Sequence, residues 1–429
     1  MIRRLVVLML LVGGAVLLEP LRAPTEGVIA PRSLFLFGIL LLTADTFGAL
    51  AHDLRVPRLL GYLVAGLALG PSVAGIVPAG VLDDLGMMKR LAVGLIGLLA
   101  GAELRLTDLR QRRRIIGSIL ALQTTAVVIL LLAATLLLQS WMPFLAGLER
   151  NAIFFVALLF AVLLTVNSPM VTLAMLSETR ASGPLARTTL GVVLVADVLI
   201  ILLFTGAFSL ARASLGTTVP ATEILAGLLG GVLGSILAGA LVGGVLSLYL
   251  RFVKRELILF AVVVVFATAA AAQELGFELL LSLLVAGFLV ENVAPVRAEP
   301  LVEALHQTAL PVFVIFFALA GAELHVQGFL ALWPMVLAVA LIRMGGIFLA
   351  ARGGSRLARA EPSVTRYGWT GLVSQAGVAL GLATIVADRL PVVGIAMQTF
   401  VIGVVAFNES LGPILFRWGL QRAGEIKVQ

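Results

Sequence analysis

Asp197 stands in an unbroken apolar run, GVVLVAD at residues 191–197 followed by Val-Leu-Ile-Ile. A carboxylate among such neighbours is costly to keep charged. It holds a proton or a small cation, and not readily both, and that competition is the chemistry of exchanging one for the other. The alternative is a protonated aspartic acid hydrogen-bonded between helices. Arg343 is the second deep charge, in LIRMGG at residues 341–346. A guanidinium does not lose its proton, so it needs a counter-charge. Glu409, within Phe407-Asn408-Glu409-Ser410, is the expected partner, giving a core charge pair Arg343–Glu409; Asp197 is the competing one. Asp45, flanked by threonine and near one end of its apolar run, reads as a snorkelling or locally bonded residue.

Two segments are built to break helices. TVNSP at residues 165–169 places a proline behind small polar residues, and Ser374-Gln375-Ala376-Gly377 does the same with glycine. Proline removes a main-chain donor, and glycine lowers helical preference. Unwinding frees carbonyl oxygens that a regular helix consumes. Asn167, Ser168 and the carbonyl of Thr165 are therefore expected to complete an oxygen shell around a cation held by Asp197. Ser374 and Gln375 supply the matching polar positions of the second break. Ordinary kinks that aid packing are the plainer reading of either break alone. Two at corresponding places favour a binding site at mid-membrane depth.

These residues need a scaffold, and composition names its medium. Of 429 residues 61% are apolar and only 12% charged, about half the usual soluble share of roughly 25%. Mean hydropathy is +1.13. Such a chain cannot cover its core with polar surface, which excludes a soluble enzyme or binding module, and it is too apolar for disorder. An all-α polytopic membrane protein is expected, with the lipid bilayer as its solvent. There is no cysteine, so no disulfide or thiolate-bound metal. His52, His306 and His325 lack metal-ligand spacing, no nucleophile–base set stands out, and no cofactor is implied. The net charge of +7 would suggest nucleic acid in a soluble chain; here the basic residues lie between apolar runs and set topology instead.

Apolar runs at about 33–51, 57–70, 87–103, 114–138, 151–176, 184–210, 222–252, 256–274, 278–291, 304–322, 329–352, 366–388 and 392–417 predict thirteen transmembrane helices, spans 1 to 13. Before them, a basic start and a short apolar run at 5–18 read as a signal peptide or an extra N-terminal helix with a linker, residues 1–32. Residues 33–417 form the transmembrane domain and 418–429 a short tail. Lysine and arginine concentrate in the odd-numbered loops and at the C-terminus, which places those in the cytoplasm.

The hexapeptide LAGAEL occurs at residues 99–104, ending span 3, and again at 319–324, ending span 10. An odd offset of seven spans turns the second copy upside down, so the chain reads as inverted repeats over about 33–210 and 256–417. Spans 5 and 12, the two broken helices, are equivalent under the same operation.

At these residues the chain resembles the monovalent cation:proton antiporters of the sodium/proton exchanger superfamily. The matching segments are PRLLGYLVAGLALGP at residues 57–71, LLAGAEL at 98–104 and GLVSQAGVALG at 371–381. The resemblance covers about residues 33–417. It implies a dimerisation or scaffold domain and a mobile core of spans 4–6 and 11–13, with spans 5 and 12 crossing where they unwind. It also implies alternating access, a homodimer, Na⁺ or K⁺ and H⁺ as substrates, and a cell inner (plasma) membrane location. The family's core aspartate falls on Asp197 and its basic residue on Arg343. Where that family carries Asp-Asp or Asn-Asp, this chain has Ala196-Asp197, and Val192 stands where electroneutral members carry glutamate. A single titrating carboxylate points to electroneutral exchange. A non-transporting membrane sensor of the same fold, or a cation-coupled organic anion transporter, are the alternatives.

Overall fold

The computed structural model describes residues 30–54, 56–216, 221–253, 255–293, 298–324, 326–375 and 377–426. The apolar run at 5–18 and His325 lie outside them. The described residues fold into sixteen α-helices. In chain order these are α1 Pro31–Asp53, α2 Arg58–Leu69, α3 Ala79–Asp84, α4 Gly86–Glu103, α5 Leu106–Leu137, α6 Arg150–Leu163, α7 Pro169–Thr179, α8 Pro184–Ser214, α9 Ala221–Phe252, α10 Leu257–Leu275, α11 Leu279–Asn292, α12 Glu299–Ala322, α13 Val326–Leu357, α14 Pro362–Tyr367, α15 Gly377–Arg389 and α16 Pro391–Arg422. Every one of the thirteen apolar runs carries helix. Among the described residues eight helices are long and apolar enough to cross a membrane. Leu237 and Leu241 on α9 and Val263 on α10 are among the large apolar side chains left exposed, which suits a bilayer rather than water.

Proline sets many of the starts. It opens α1, α7, α8, α14 and α16 within the first two positions, where the missing N–H is one the helix cannot use anyway. Gly276 closes α10 with φ of 72°, a left-handed conformation that glycine adopts without strain.

The chain divides into two compact units, residues 1–105 with 234–326, and residues 106–233 with 327–429. In the first, the duplicated LAGAEL segments explain themselves. A Cβ on Gly101 of α4 would lie 1.9 Å from the Leu284 carbonyl oxygen of α11. A Cβ on Gly321 of α12 would lie 2.1 Å from that of Leu63 of α2. Each copy thus presents its glycine to the backbone of a neighbouring helix, an approach no other residue permits. The glutamates that follow are ion-paired in a reciprocal pattern. Glu103, at the end of α4, meets His306 near the start of α12 at 2.7 Å; Glu323, just past the end of α12, meets Lys89 near the start of α4. Helices α4 and α12 therefore run antiparallel, which is the inversion the repeat requires.

The second unit has a larger apolar core, with Phe160 packed edge-on to Phe400 at 5.4 Å. At one end Arg112 of α5 holds Glu361, which precedes α14, at 2.8 Å, and Thr188 of α8 at 3.1 Å. Partial burial raises the Glu361 carboxyl, but the hydrogen bonds and charge of Arg112 outweigh it and hold it below the usual range. Helix α16 continues to Arg422, five residues beyond the expected end of span 13, because Gly424 rather than Arg417 turns the chain. Glu425 then folds back, and its carboxylate accepts from the main-chain N–H groups of Leu185 and Ala186 at 2.7 and 2.8 Å. Those are unsatisfied donors of the first turn of α8, where the helix dipole also favours a negative charge.

The crossings in the first unit yield a test. Gly101→Ala and Gly321→Ala should each destabilise the protein by about 1–3 kcal/mol, since one methyl must displace backbone. Gly38→Ala, at a place with nothing within 4 Å, should be neutral. Melting temperatures in detergent that treat all three alike would show that the crossings are not close-packed.

Candidate functional site at the crossing of two broken helices

Span 5 is two half-helices, α6 and α7, with non-helical backbone between them at residues 164–168. Ser168 caps α7: its Oγ accepts from the Val171 N–H at 3.2 Å, and Pro169 takes the first helical position. Span 12 breaks likewise. Helix α14 passes into a 3₁₀ turn, Gly368–Leu372, and α15 begins at Gly377. The breaks touch directly, the Ser168 N–H donating to the Ser374 carbonyl at 3.0 Å.

Arg343 of α13 lies at their junction, fully buried. Its Nε donates to the Leu164 carbonyl at 2.6 Å, one terminal nitrogen to Val373 at 2.6 Å and the other to Val166 at 2.8 Å. Leu164 is the C-cap of α6, and Val373 follows the 3₁₀ turn. The guanidinium therefore faces carbonyl ends of both first half-helices, where the backbone dipoles are negative. All three bonds go to main-chain oxygens; Glu409 is buried too, and its expected pairing with Arg343 stays a proposal. The physical reason is proximity: unwinding brings several carbonyl acceptors to one point, and together they satisfy a planar fork of N–H donors.

The remaining polar side chains form two short chains of amides. Gln123 of α5 donates through Nε2 to Asn167 Oδ1 at 2.8 Å, and Asn167 Nδ2 donates to the Leu372 carbonyl. Asn408 of α16 donates through Nδ2 to Gln375 Oε1 at 2.8 Å, and Gln375 Nε2 donates to the Leu164 carbonyl at 2.9 Å. Each break thus sends an amide to the first half of the other. Asn167 and Gln375 act as reciprocal clamps, with both ends of each amide engaged. Thr165 Oγ1 donates to Ala161 within its own helix, and Ser168 Oγ caps α7. Asp197 is half-buried on α8, and Asp45 is exposed on α1.

Gln123 and Asn408 were not singled out from sequence. A signal for Gln123 existed: Arg343 lies 220 positions after it, the same offset that separates Glu103 from Glu323. Helices α5 and α13 match in length under that offset, 32 residues each, so Gln123 and Arg343 are equivalent residues of the two repeats.

The comparisons with known proteins agree with this architecture. The profile of the sodium/hydrogen exchanger transmembrane family matches residues 38–421. The chain belongs to that family, and is thus an integral, multi-pass membrane protein of the cation/proton antiporter kind rather than an enzyme. Its fold is shared with the sodium proton antiporter MjNhaP1 from Methanocaldococcus jannaschii. The structure at pH 8 has 17% identity and a TM-score of 0.63, covering 92% of this chain and 98% of that one. An electron-microscopy map of the same antiporter gives 16% identity and a TM-score of 0.67, covering 92% and 99%. No curated protein matches the chain.

Replacing Arg343 with methionine keeps the bulk and strips donors from three buried carbonyls. Each orphaned acceptor costs about 1–3 kcal/mol, so a loss of about 3 kcal/mol or more is expected. Arg343→Lys keeps the charge without the fork and should recover only part of it. Thermal unfolding in detergent checks this, and a methionine variant as stable as the native protein would remove Arg343 from the crossing.

Proposed function

We propose that this chain exchanges a monovalent cation, Na⁺ or K⁺, for H⁺, and that Asp197 carries both in turn. One observation supports the assignment above others: Asp197 stands midway along α8, the helix that packs against both halves of the broken span 5. A carboxylate beside the crossing then alternates between a protonated form and a cation-bound form. Thr165 through its carbonyl, and Ser168 through its hydroxyl, supply neutral oxygen to the cation. Asn167 contributes mainly by holding the breaks in register, since its amide is clamped at both ends. Ser374 and Gln375 do the same from the second break.

Transport proceeds by alternating access, with the unit that contains the crossing as the moving part of a homodimer. The C-terminus lies in the cytoplasm and the protein in a cell inner membrane, as the arrangement of basic loops favours.

Two measurements test this reading. Asp197→Asn preserves size and removes the titrating charge. Proteoliposomes bearing it should show no proton movement after a Na⁺ or K⁺ pulse, a loss of at least about 100-fold, with the melting temperature nearly unchanged. Near-native exchange would move the site away from Asp197.

Stoichiometry follows from Ala196. With one carboxylate carrying either one proton or one monovalent cation, each cycle moves no net charge. A solid-supported membrane recording should show no sustained cation-driven current. A steady current that scales with the cation gradient would mean that a second group titrates.

A further inference from the structure

Gln123 is 1% exposed, on α5, and its amide can be oriented by logic alone. The Leu372 carbonyl can only accept, so the Asn167 group facing it is Nδ2. Asn167 therefore presents Oδ1 to Gln123, which must offer Nε2 in return. That leaves Gln123 Oε1 pointing elsewhere, buried and with no hydrogen-bond donor among the described residues. A fully buried amide oxygen left in this state is costly unless something it binds repays it.

Its depth is fixed by the packing of α5 on α8. These helices are separated in sequence by the single broken span α6–α7, so they run in the same direction. Arg112 of α5 bonds Thr188 of α8, and a Cβ on Gly191 of α8 would meet Ile116 of α5 at 2.6 Å. From Arg112 to Gln123 the rise is about 16 Å, and from Thr188 to Asp197 about 14 Å, at about 1.5 Å per residue. Gln123 and Asp197 thus stand within one helical turn of the same level, on adjacent helices.

Symmetry adds a second argument. Gln123 occupies in the first repeat the place that Arg343 occupies in the second. The arginine brings donors and satisfies carbonyls. The glutamine is turned so that an acceptor remains. One repeat position therefore fastens the crossing, and its counterpart offers a neutral oxygen at the level of Asp197 on the neighbouring α8.

We infer that Gln123 Oε1 is a ligand of the transported monovalent cation, held in place by Asn167. A dehydrated Na⁺ or K⁺ needs several oxygens, and a carboxylate supplies at most two. An amide carbonyl adds a dipole without adding charge, so it strengthens cation binding without creating a second titrating site. The inference rests on the antiporter reading for what is carried. The binding itself is measurable without transport.

The test uses the purified full chain in detergent, melted in sodium, potassium or choline chloride at equal ionic strength. A ligand bound to the native state raises the melting temperature. The native chain should be stabilised by Na⁺ or K⁺ beyond choline. Gln123→Met, close in shape and lacking the oxygen, should need about tenfold more cation for the same shift. Gln123→Glu keeps an oxygen and adds charge, so its cation-specific shift should exceed the native one; it decides the matter if the methionine variant does not fold. A native cation-specific shift in either folded variant overturns the assignment, as does a native chain that responds to Na⁺ and K⁺ no more than to choline. A cation-specific shift that depends on Gln123 in a chain showing no exchange in proteoliposomes would count against the antiporter reading alone and would support the ligand.

Discussion

The structure turns on one guanidinium holding two unwound helices together. Burying Arg343 without compensation would be prohibitive, and leaving the carbonyls of Leu164, Val166 and Val373 without donors would be nearly as bad. Each solves the other's problem. The arrangement needs both breaks, because one unwound segment gathers too few acceptors to balance a full positive charge. It also needs the arginine to come from a third helix, α13, so that the crossing is tied into the unit rather than merely closed on itself. The amide clamps of Asn167 and Gln375 then fix the angle at which the half-helices meet.

This division of labour explains how a site can be both rigid and responsive. The permanent charge is locked into backbone. In the proposed exchange the variable charge is that of Asp197 on α8, a continuous helix packed against the broken span 5. On that reading the carboxylate exchanges proton for cation while the hydrogen-bonded crossing keeps its shape.

Much of this was readable in the chain. The thirteen apolar runs, the two breaks and the inversion between LAGAEL copies all follow from local chemistry: long apolar stretches, a proline and a glycine at equivalent places, and a repeated glycine that must meet backbone. The main-chain acceptors of Arg343 were not readable. Sequence shows side chains, so reasoning from it looks for a carboxylate, and Glu409 was the one at hand. Three acceptors of Arg343 are main-chain oxygens, whose availability depends on where two distant segments cross. Gln123 was missed for a related reason: an isolated glutamine in an apolar helix has no pattern until its repeat equivalent is known to be Arg343. Glu425 falls in a stretch that composition marks as tail, and only the turn at Gly424 brings it back to α8.

That returning glutamate has a practical side. The carboxylate that completes the first turn of α8 sits shortly before Gln429. An affinity tag or fluorescent reporter joined directly after Arg422 would delete it, and one joined tightly after Glu425 would tug on it. Either handle would be attached, mechanically, to the helix that bears Asp197. A flexible spacer placed after Ile426 leaves the hook seated, and a label there becomes a reporter of how firmly that helix is moored.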